Sequence, residues 1–490
     1  MTNFSEIITN FAVSNKTIIY FMKKIFLLMT MASASLMAEA GGLMTNTNYH
    51  IAFDRMFARG ATTEIDAAYS NPAGLAWGHE GWQLSLNFQK PWQNRDIETD
   101  IPDFLMPGNN FHKKYNGKAS APIVPAFFAS YKQDRWAVST MIGIVGSGGF
   151  VKYDEGIPML NVPIMKTLFD KNAALQADKT YTIDSEMEGK QYIYGGQVNF
   201  TYKITDYLAA AVGIRANYYD GFNRGHVVAT ATNPAIITAL GGNPELTNLQ
   251  LDCLQKGWGF APIVSVDFHK GPLTLAARYE FRTKLNTEND TETLSVNGFD
   301  VKAYAEANGT AATVTALSGQ LGADMAGKLA AFMPNEETRY DMPSLFVAAA
   351  QYEITPNLRA AVEYHFFDDK NAKMAGNRQD ELEHGTHEIL LGAEYDVNDM
   401  LTVSLGGQRT DYGLSDNYQT HTSFACDSYS LGCGAALNLS ERVRLNVSYF
   451  CTLYSDYKKE QSNYQNLGIK GTDTFSRTNH VIGLGIDYKF

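Results

Sequence analysis

The stretch RTNHVIGLGIDYKF, residues 477–490, closes the chain. Ile482, Leu484, Ile486, Tyr488 and Phe490 fall on one parity, and Val481, Gly483, Gly485, Asp487 and Lys489 on the other. A period of two is the signature of a strand. One face of this strand is a continuous apolar band and the other is small or polar. Either a soluble sandwich or a barrel wall can end in such a strand, so the decision falls to the segments before it.

Those segments repeat the pattern in pairs joined by short turns. Trp82, Leu84, Leu86 and Phe88 mark a first strand; Ile123, Phe127, Ala129 and Tyr131 a second; Trp136, Val138, Ile142 and Ile144 a third. Only Lys132 to Arg135 separates the second from the third, whereas about thirty residues separate the first from the second. The same asymmetry recurs at Lys203 to Asp206, His269 to Pro272, Ile354 to Asn357, Val397 to Met400 and Leu439 to Arg442. The count is 14 candidate strands, an even number with every tight turn at one end. A membrane barrel requires this, because every backbone group must be paired in lipid and the two ends face different compartments. Tyr131, Trp136, Tyr202, Tyr207, Phe268, Tyr352, Tyr395 and Tyr488 all lie beside the short turns, where an interfacial aromatic girdle belongs.

Composition agrees. The 490 residues include 27 Tyr and 27 Phe, yet the mean hydropathy of -0.23 is too polar for a bundle of membrane helices. A net charge of -12 argues against nucleic acid as a partner. Near the start, Met22-Lys23-Lys24, the apolar run Ile25 to Met37 and Ala38-Glu39-Ala40 read as a secretory signal peptide. Residues 1–40 are therefore an N-terminal extension plus signal, residues 41–78 a separate segment, and residues 79–490 the barrel. The residue directly after the cleavage site is Gly41 rather than a cysteine, which argues against a lipoprotein. Cys433 and Cys451 fall on outward faces as diagonal neighbours, and the four cysteines read as small apolar side chains.

Two long loops carry apolar faces. Asn233-Pro234 opens a short helix that stops at Gly241-Gly242 and presents Ile236 and Leu240. Between the seventh and eighth strands Val314, Leu317, Leu321, Met325, Leu329 and Phe332 recur every three or four residues, so Ala311 to Met333 reads as amphipathic helix. The loop Ile157 to Leu175 is similar in character. By parity, the lumen side carries Arg215, Arg278, Glu280, Arg282, Arg359, Glu363 and Arg444, with apolar Met141, Leu345 and Val347 among them. Apolar lumen residues do not suit a water-filled porin. An arginine beside an apolar pocket holds a carboxylate through a charge-assisted fork, and Arg215, Arg278 and Arg282 are the candidates. The competing reading pairs these arginines with Glu280, Glu363 or Asp66. Strand three ends in Gly143, Gly146, Gly148 and Gly149, which permit a bend or bulge or merely relieve packing.

The terminal strand resembles the one by which bacterial outer-membrane barrels are recognised by their assembly machinery. More specifically, a leader, a mature start in Gly41 and the turn Asn71-Pro72-Ala73 ahead of the first strand resemble the FadL family of hydrophobic-compound transporters. Arg55, Gly60 and Ala61 match more loosely. The resemblance implies an all-β, membrane-spanning antiparallel barrel of 14 strands with an N-terminal hatch, or plug, inside the lumen. It also implies a hydrophobic capture groove built by the two helical loops, and a kink in strand three through which ligand leaves sideways into the membrane. The implied role is passive uptake of a fatty acid, aromatic hydrocarbon, steroid or porphyrin by a monomer set among outer-membrane lipid and lipopolysaccharide, with no cofactor and no metal. A porin for polar solutes and a surface-binding barrel remain alternatives. Catalysis is disfavoured: His384 and His387 are three apart with His365 at the opposite loop end, and no placed carboxylate or nucleophile completes a site.

Overall fold

The computed structural model describes residues 44–45, 48–120, 123–321 and 323–490. The signal-peptide reading lies outside the described residues. In chain order the strands are β1 (Gly81–Ile101), β2 (Phe111–Ser120), β3 (Val124–Gln133), β4 (Trp136–Tyr153), β5 (Tyr181–Lys203), β6 (Leu208–Ala231), β7 (Glu245–Lys270), β8 (Leu273–Glu280), β9 (Asn286–Val296) and β10 (Phe299–Asp300). They continue as β11 (Glu337–Arg339), β12 (Leu345–Thr355), β13 (Leu358–Phe367), β14 (Thr386–Asp396), β15 (Leu401–Asp411), β16 (Ser428–Asn438), β17 (Val443–Tyr454), β18 (Tyr457–Gln461) and β19 (Gly471–Lys489).

All pairings between these strands are antiparallel, and several strands are upper and lower parts of one stave. Both β2 and β3 pair with β1, both β8 and β9 with β7, and both β17 and β18 with β19, while β11 and β12 face β9 and β8. The result is 14 staves in one closed sheet. The C-terminal stretch performs the closure: β19 runs against β1 from Gln83↔Lys489 to Asp100↔Thr472 while its other edge holds β17. Outward side chains make an apolar belt. Leu405 is 64% exposed, Val212 59% and Leu391 56%. A continuous belt of this kind is stable only in contact with lipid.

The staves are longer than their apolar alternation indicates. The fourth strand reads from Tyr194 but β5 begins at Tyr181; the sixth reads from Trp258 but β7 begins at Glu245; and β1 runs on to Ile101. Above the belt the pattern inverts. Asp184, Glu186 and Glu188 point outward on β5 while Tyr181 and Met187 point in, and Leu249, Leu251 and Cys253 are the inward residues of β7. Water outside and a core inside demand the opposite parity from lipid outside and a polar lumen. The inverted upper wall encloses an apolar cluster that takes in helices α3 (Pro158–Lys171), α5 (Val301–Asn308), α6 (Thr310–Leu321) and α7 (Ala323–Ala330).

Residues 48–77 run through the lumen. They form α1 (Ile51–Met56), α2 (Ala67–Ser70) and a 3-10 turn over Pro72–Trp77, and are almost entirely buried.

Candidate functional site

Three features stack along the barrel axis, the first being a pocket at the long-loop end. Proline at the first helical position starts α3, and Leu160, Ile164 and Leu168 recur every four residues to bury one face. Met159 and Leu160 of that helix, Met187, Gly225, Leu249 and Leu251 of the inner wall, and Lys328, Leu329 and Phe332 of α7 and its exit line the pocket. Its free space is about 10 Å³, room for little more than one water, so a larger guest enters only by displacing a helix. Lys328 lends this lining its methylene stem, while its ammonium donates to Gln465 Oε1 at 3.5 Å.

The second feature is the lumen segment and its two seats. His50 caps α1, its Nδ1 accepting from Ala52 N at 3.1 Å, and its Nε2 meets Ser85 Oγ at 3.1 Å. Asn87 Oδ1 accepts from Ile51 N, and Asp54 accepts from Gln89 and Ser448. Beyond α1 the charges condense. Glu394 of β14 meets Arg55, Arg59 and Arg359; Arg59 also holds Glu64 and Asp66, Arg444 meets Glu64, and Arg359 reaches Asp396. Four guanidinium groups thus face four carboxylates, a balanced network joining the segment to three staves. Further along, the Gly60 amide donates to Glu363 Oε2 at 2.6 Å, and His365 sits between Glu363 and Glu388.

The turn Asn71-Pro72-Ala73 forms the second seat. Thr201 Oγ1 donates to Pro72 O at 2.7 Å, Ala73 N to Ser265 Oγ at 3.2 Å, and Asn71 Nδ2 to Val266 O and Asp267 Oδ2, both at 3.3 Å. Gln197 and Asn199 both donate to Ala68 O at 3.0 Å. Two staves, β5 and β7, therefore hold a turn whose own backbone has few internal partners to offer them.

The third feature is a break in the wall. β4 pairs with β3 up to Phe127↔Ile142 and with β2 only from Lys118↔Lys152. Among the described residues the run 143–151 has no strand partner on that side. Its other edge, against β5, shifts register twice, between Ile144 and Gly146 and between Ser147 and Gly149, which leaves Val145 and Gly148 as bulged residues. Gly149 has φ +68°, a backbone that only glycine adopts without cost. Val124, Ile144 and Tyr192 line the break, and Tyr49 of the lumen segment packs against them. Replacing Gly149 by alanine is expected to cost about 1–2 kcal/mol, read as a lower unfolding temperature of the folded barrel on heated gels.

No protein-family model and no curated protein sequence matches the chain. Among solved structures, a Pseudomonas aeruginosa FadL homologue superposes with a TM-score of 0.62 at 13% identity, covering 93% of this chain and 100% of that one. This chain has the FadL-type fold. The Pseudomonas putida toluene transporter TodX gives a TM-score of 0.51 at 12% identity over 88% of this chain and 95% of its own. A TodX deltaS2S3 mutant, a monoaromatic hydrocarbon channel, gives 0.54 at 12% over 90% and 99%.

Within this FadL-type barrel the residues singled out from sequence fall into three groups. Asn71, Pro72, Ala73, Gly143, Gly146, Gly148 and Gly149 lie at the second seat and at the wall break. The loop residues divide. Leu329 and Phe332 line the pocket, Leu317 is buried in the surrounding cluster, and Val314 and Ile236 pack against it. Leu240 instead ends the helix α4 (Pro234–Ala239), which buries no residue, and is 44% exposed. The side chains of Leu321 and Met325 lie outside the described residues. The pocket is therefore made by α3, in the loop Ile157 to Leu175, and by α7 and its exit in the loop between the seventh and eighth strands, while the loop between the fifth and sixth supplies no lining residue. Alternation above the belt and the four-residue spacing in α3 are the signals that would have found Leu160, Leu249 and Leu251.

The arginines form the last group. Arg215 pairs with Glu280, donates from Nε to Asn217 Oδ1 at 3.1 Å, and stacks over Tyr69 together with Arg278 at 5.7 and 5.4 Å. Arg278 donates to Tyr69 O. Arg282 lies off the lumen face in the irregular link between β8 and β9, donating to Asn371 O. Inward parity shifts there from Glu280 to Thr283, which is why counting from the strand misplaces it. All three guanidiniums are engaged by the protein itself. His387 Nδ1 is hydrogen-bonded with Tyr364 OH at 2.7 Å on the outer rim, apart from the lumen.

Proposed function

We propose that this chain is an outer-membrane channel of the FadL type that takes up hydrophobic small molecules by passive diffusion. The short turns face the periplasm and the loops face outward among lipopolysaccharide; the aromatic Phe490 serves the assembly machinery. The reading rests above all on the apolar pocket standing on the aqueous side of the belt, over a lumen filled by the segment 48–77. A channel for polar solutes has no use for either. A guest enters by parting α3 from α7, passes the segment, which acts as a hatch, and leaves beside the unpaired run of β4. The lining exposes only apolar atoms, Lys328 contributing its methylene stem, so it suits the hydrocarbon tail of a long-chain fatty acid.

Uptake of a labelled long-chain fatty acid, of labelled toluene and of a labelled disaccharide into cells expressing the protein tests this. The fatty acid is expected to enter fastest and the disaccharide no faster than in control cells. Replacing Leu329 and Phe332 by Asp is expected to cut fatty-acid uptake about tenfold or more, since burying one such side chain contributes about 1.5–3 kcal/mol. Rapid disaccharide entry, unaffected by those substitutions, would move the reading to a porin.

A further inference from the structure

Asp267 lies on the inner face of β7, wholly buried under the Asn71-Pro72-Ala73 turn. Among the described residues it makes no ion pair, and its side-chain bond to the turn is the one from Asn71 Nδ2 to Oδ2 at 3.3 Å. Its Oδ1 has no hydrogen-bond partner, and neither has the Oδ1 of Asn71. Two orphaned acceptors thus belong to two side chains already joined at their other ends.

The surroundings offer no counter-charge. From the turn come uncharged Pro72, Ala73 and Gly74; from the flanking strands the register neighbours are Ala209 and Ala276. On β7 itself Ser265 is taken by Ala73 N, and His269 binds Thr274 Oγ1 at 2.8 Å and lies against Trp77. Lys203 of β5 sits over the Trp77 ring at 6.0 Å, and Arg278 of β8 is bonded to Tyr69 O. An ionised carboxylate here would be both desolvated and unpaired, a state proteins avoid by neutralising the group. A single proton removes the charge and turns one orphan into a donor for the other.

We propose that Asp267 is held as the neutral acid and forms a cyclic acid–amide pair with Asn71, Oδ1–H donating to Asn71 Oδ1 while Asn71 Nδ2 donates to Oδ2, and that this pair latches the turn to the wall. Asp267 is thereby a positioning residue, acting through Asn71; the inference rests on the reading of residues 48–77 as the hatch. Deprotonation leaves acceptor facing acceptor, so the latch loosens as pH rises through the titration of Asp267. Among the described residues, the charge that changes at this contact is its own.

Two measurements on the purified full-length barrel test it. Infrared difference spectra of wild type against Asp267→Asn at neutral pH are expected to show the carbonyl stretch of a protonated carboxylic acid, lost in the variant; its absence from wild type would overturn the assignment whether or not the protein is a channel. Basal conductance in planar bilayers is expected to rise several-fold from neutral to alkaline pH in wild type. Asp267→Asn, which keeps the amide pairing without a titratable proton, is expected to stay closed and flat with pH, and Asp267→Ala to leak at every pH. Equal leakage of the Asn and Ala variants, or a wild-type pH profile unchanged by Asp267→Asn, would overturn the latch.

Discussion

The triple substitution Gly392→Ala, Gly406→Ala, Gly432→Ala is expected to raise the basal conductance at least tenfold while leaving the barrel folded. These glycines are register partners across β14, β15 and β16, Gly392 opposite Gly406 and Gly406 opposite Gly432. Together they form a trough in the inner wall against which α1 lies. A Cβ on Gly406 would stand 2.0 Å from Met56 O, one on Gly392 2.3 Å from the same oxygen, and one on Gly432 2.2 Å from Asp54 O. The obstacles are backbone atoms, so no rotamer change relieves them. Nor can the helix slide, since Ile51 N, Asp54 and Arg55 are each fixed to the wall. Overpacking of this kind costs about 1–3 kcal/mol per site, and three sites together exceed what the hydrogen bonds of one short helix return. Glycine to alanine in a strand without such an obstacle tends instead to stabilise. Gly407→Ala is therefore the control: its Cβ would point outward, 3.7 Å from Leu431 Cδ2, an ordinary contact. Conductance and heat-modified gel mobility separate an expelled helix from an unfolded barrel. Wild-type conductance in the triple variant would mean that α1 is not what closes this side of the lumen.

The staves were legible in the sequence because lipid imposes one rule on every outward face, and Leu405, Leu391, Val212 and their like obey it locally. Their upper ends were not, because at Tyr181 or Leu249 the apolar residue has moved to the inner parity and a search for outward apolar residues passes over it. The turn that seats the lumen segment was visible through three residues, Asn71, Pro72 and Ala73, whose partners Thr201, Ser265 and Val266 lie more than a hundred residues away. In the charge network parity put Arg359 and Arg444 in the lumen and Asp66 stood as a candidate partner, but the pairings were not legible for the same reason. Nothing local in the sequence indicates that β14 brings Glu394 to Arg55 and Arg59 across |i−j| of 339 and 335. Periodicity reports which face a residue is on; it carries nothing about which stave stands opposite. The pocket fell between these cases, with one wall in the helix read from Leu329 and Phe332 and the other in α3, where two prolines, Pro158 and Pro163, obscure the helical period.

Glu394 carries the second large expectation. Its carboxylate is buried and shared by Arg55, Arg59 and Arg359, with Ser404 Oγ donating a further bond at 3.1 Å. Glu394→Gln keeps the shape but leaves four guanidiniums against three carboxylates, with the missing charge at the buried centre of the network. Breaking one partner out of a buried charge group costs about 3–5 kcal/mol, and here that cost falls on the contact between the lumen segment and the wall. The variant is expected to unfold at lower urea concentration and to leak before it unfolds, because Arg55 and Arg59 belong to the lumen segment while Arg359 and Glu394 belong to staves. Adding Arg55→Met to Glu394→Gln restores the count to three against three. It is expected to recover most of the lost stability, a coupling that independent sites would not show. If Glu394→Gln alone behaves as wild type in both urea unfolding and conductance, water has access to the network and the hatch is held by the turn at Asn71 and the glycine trough instead.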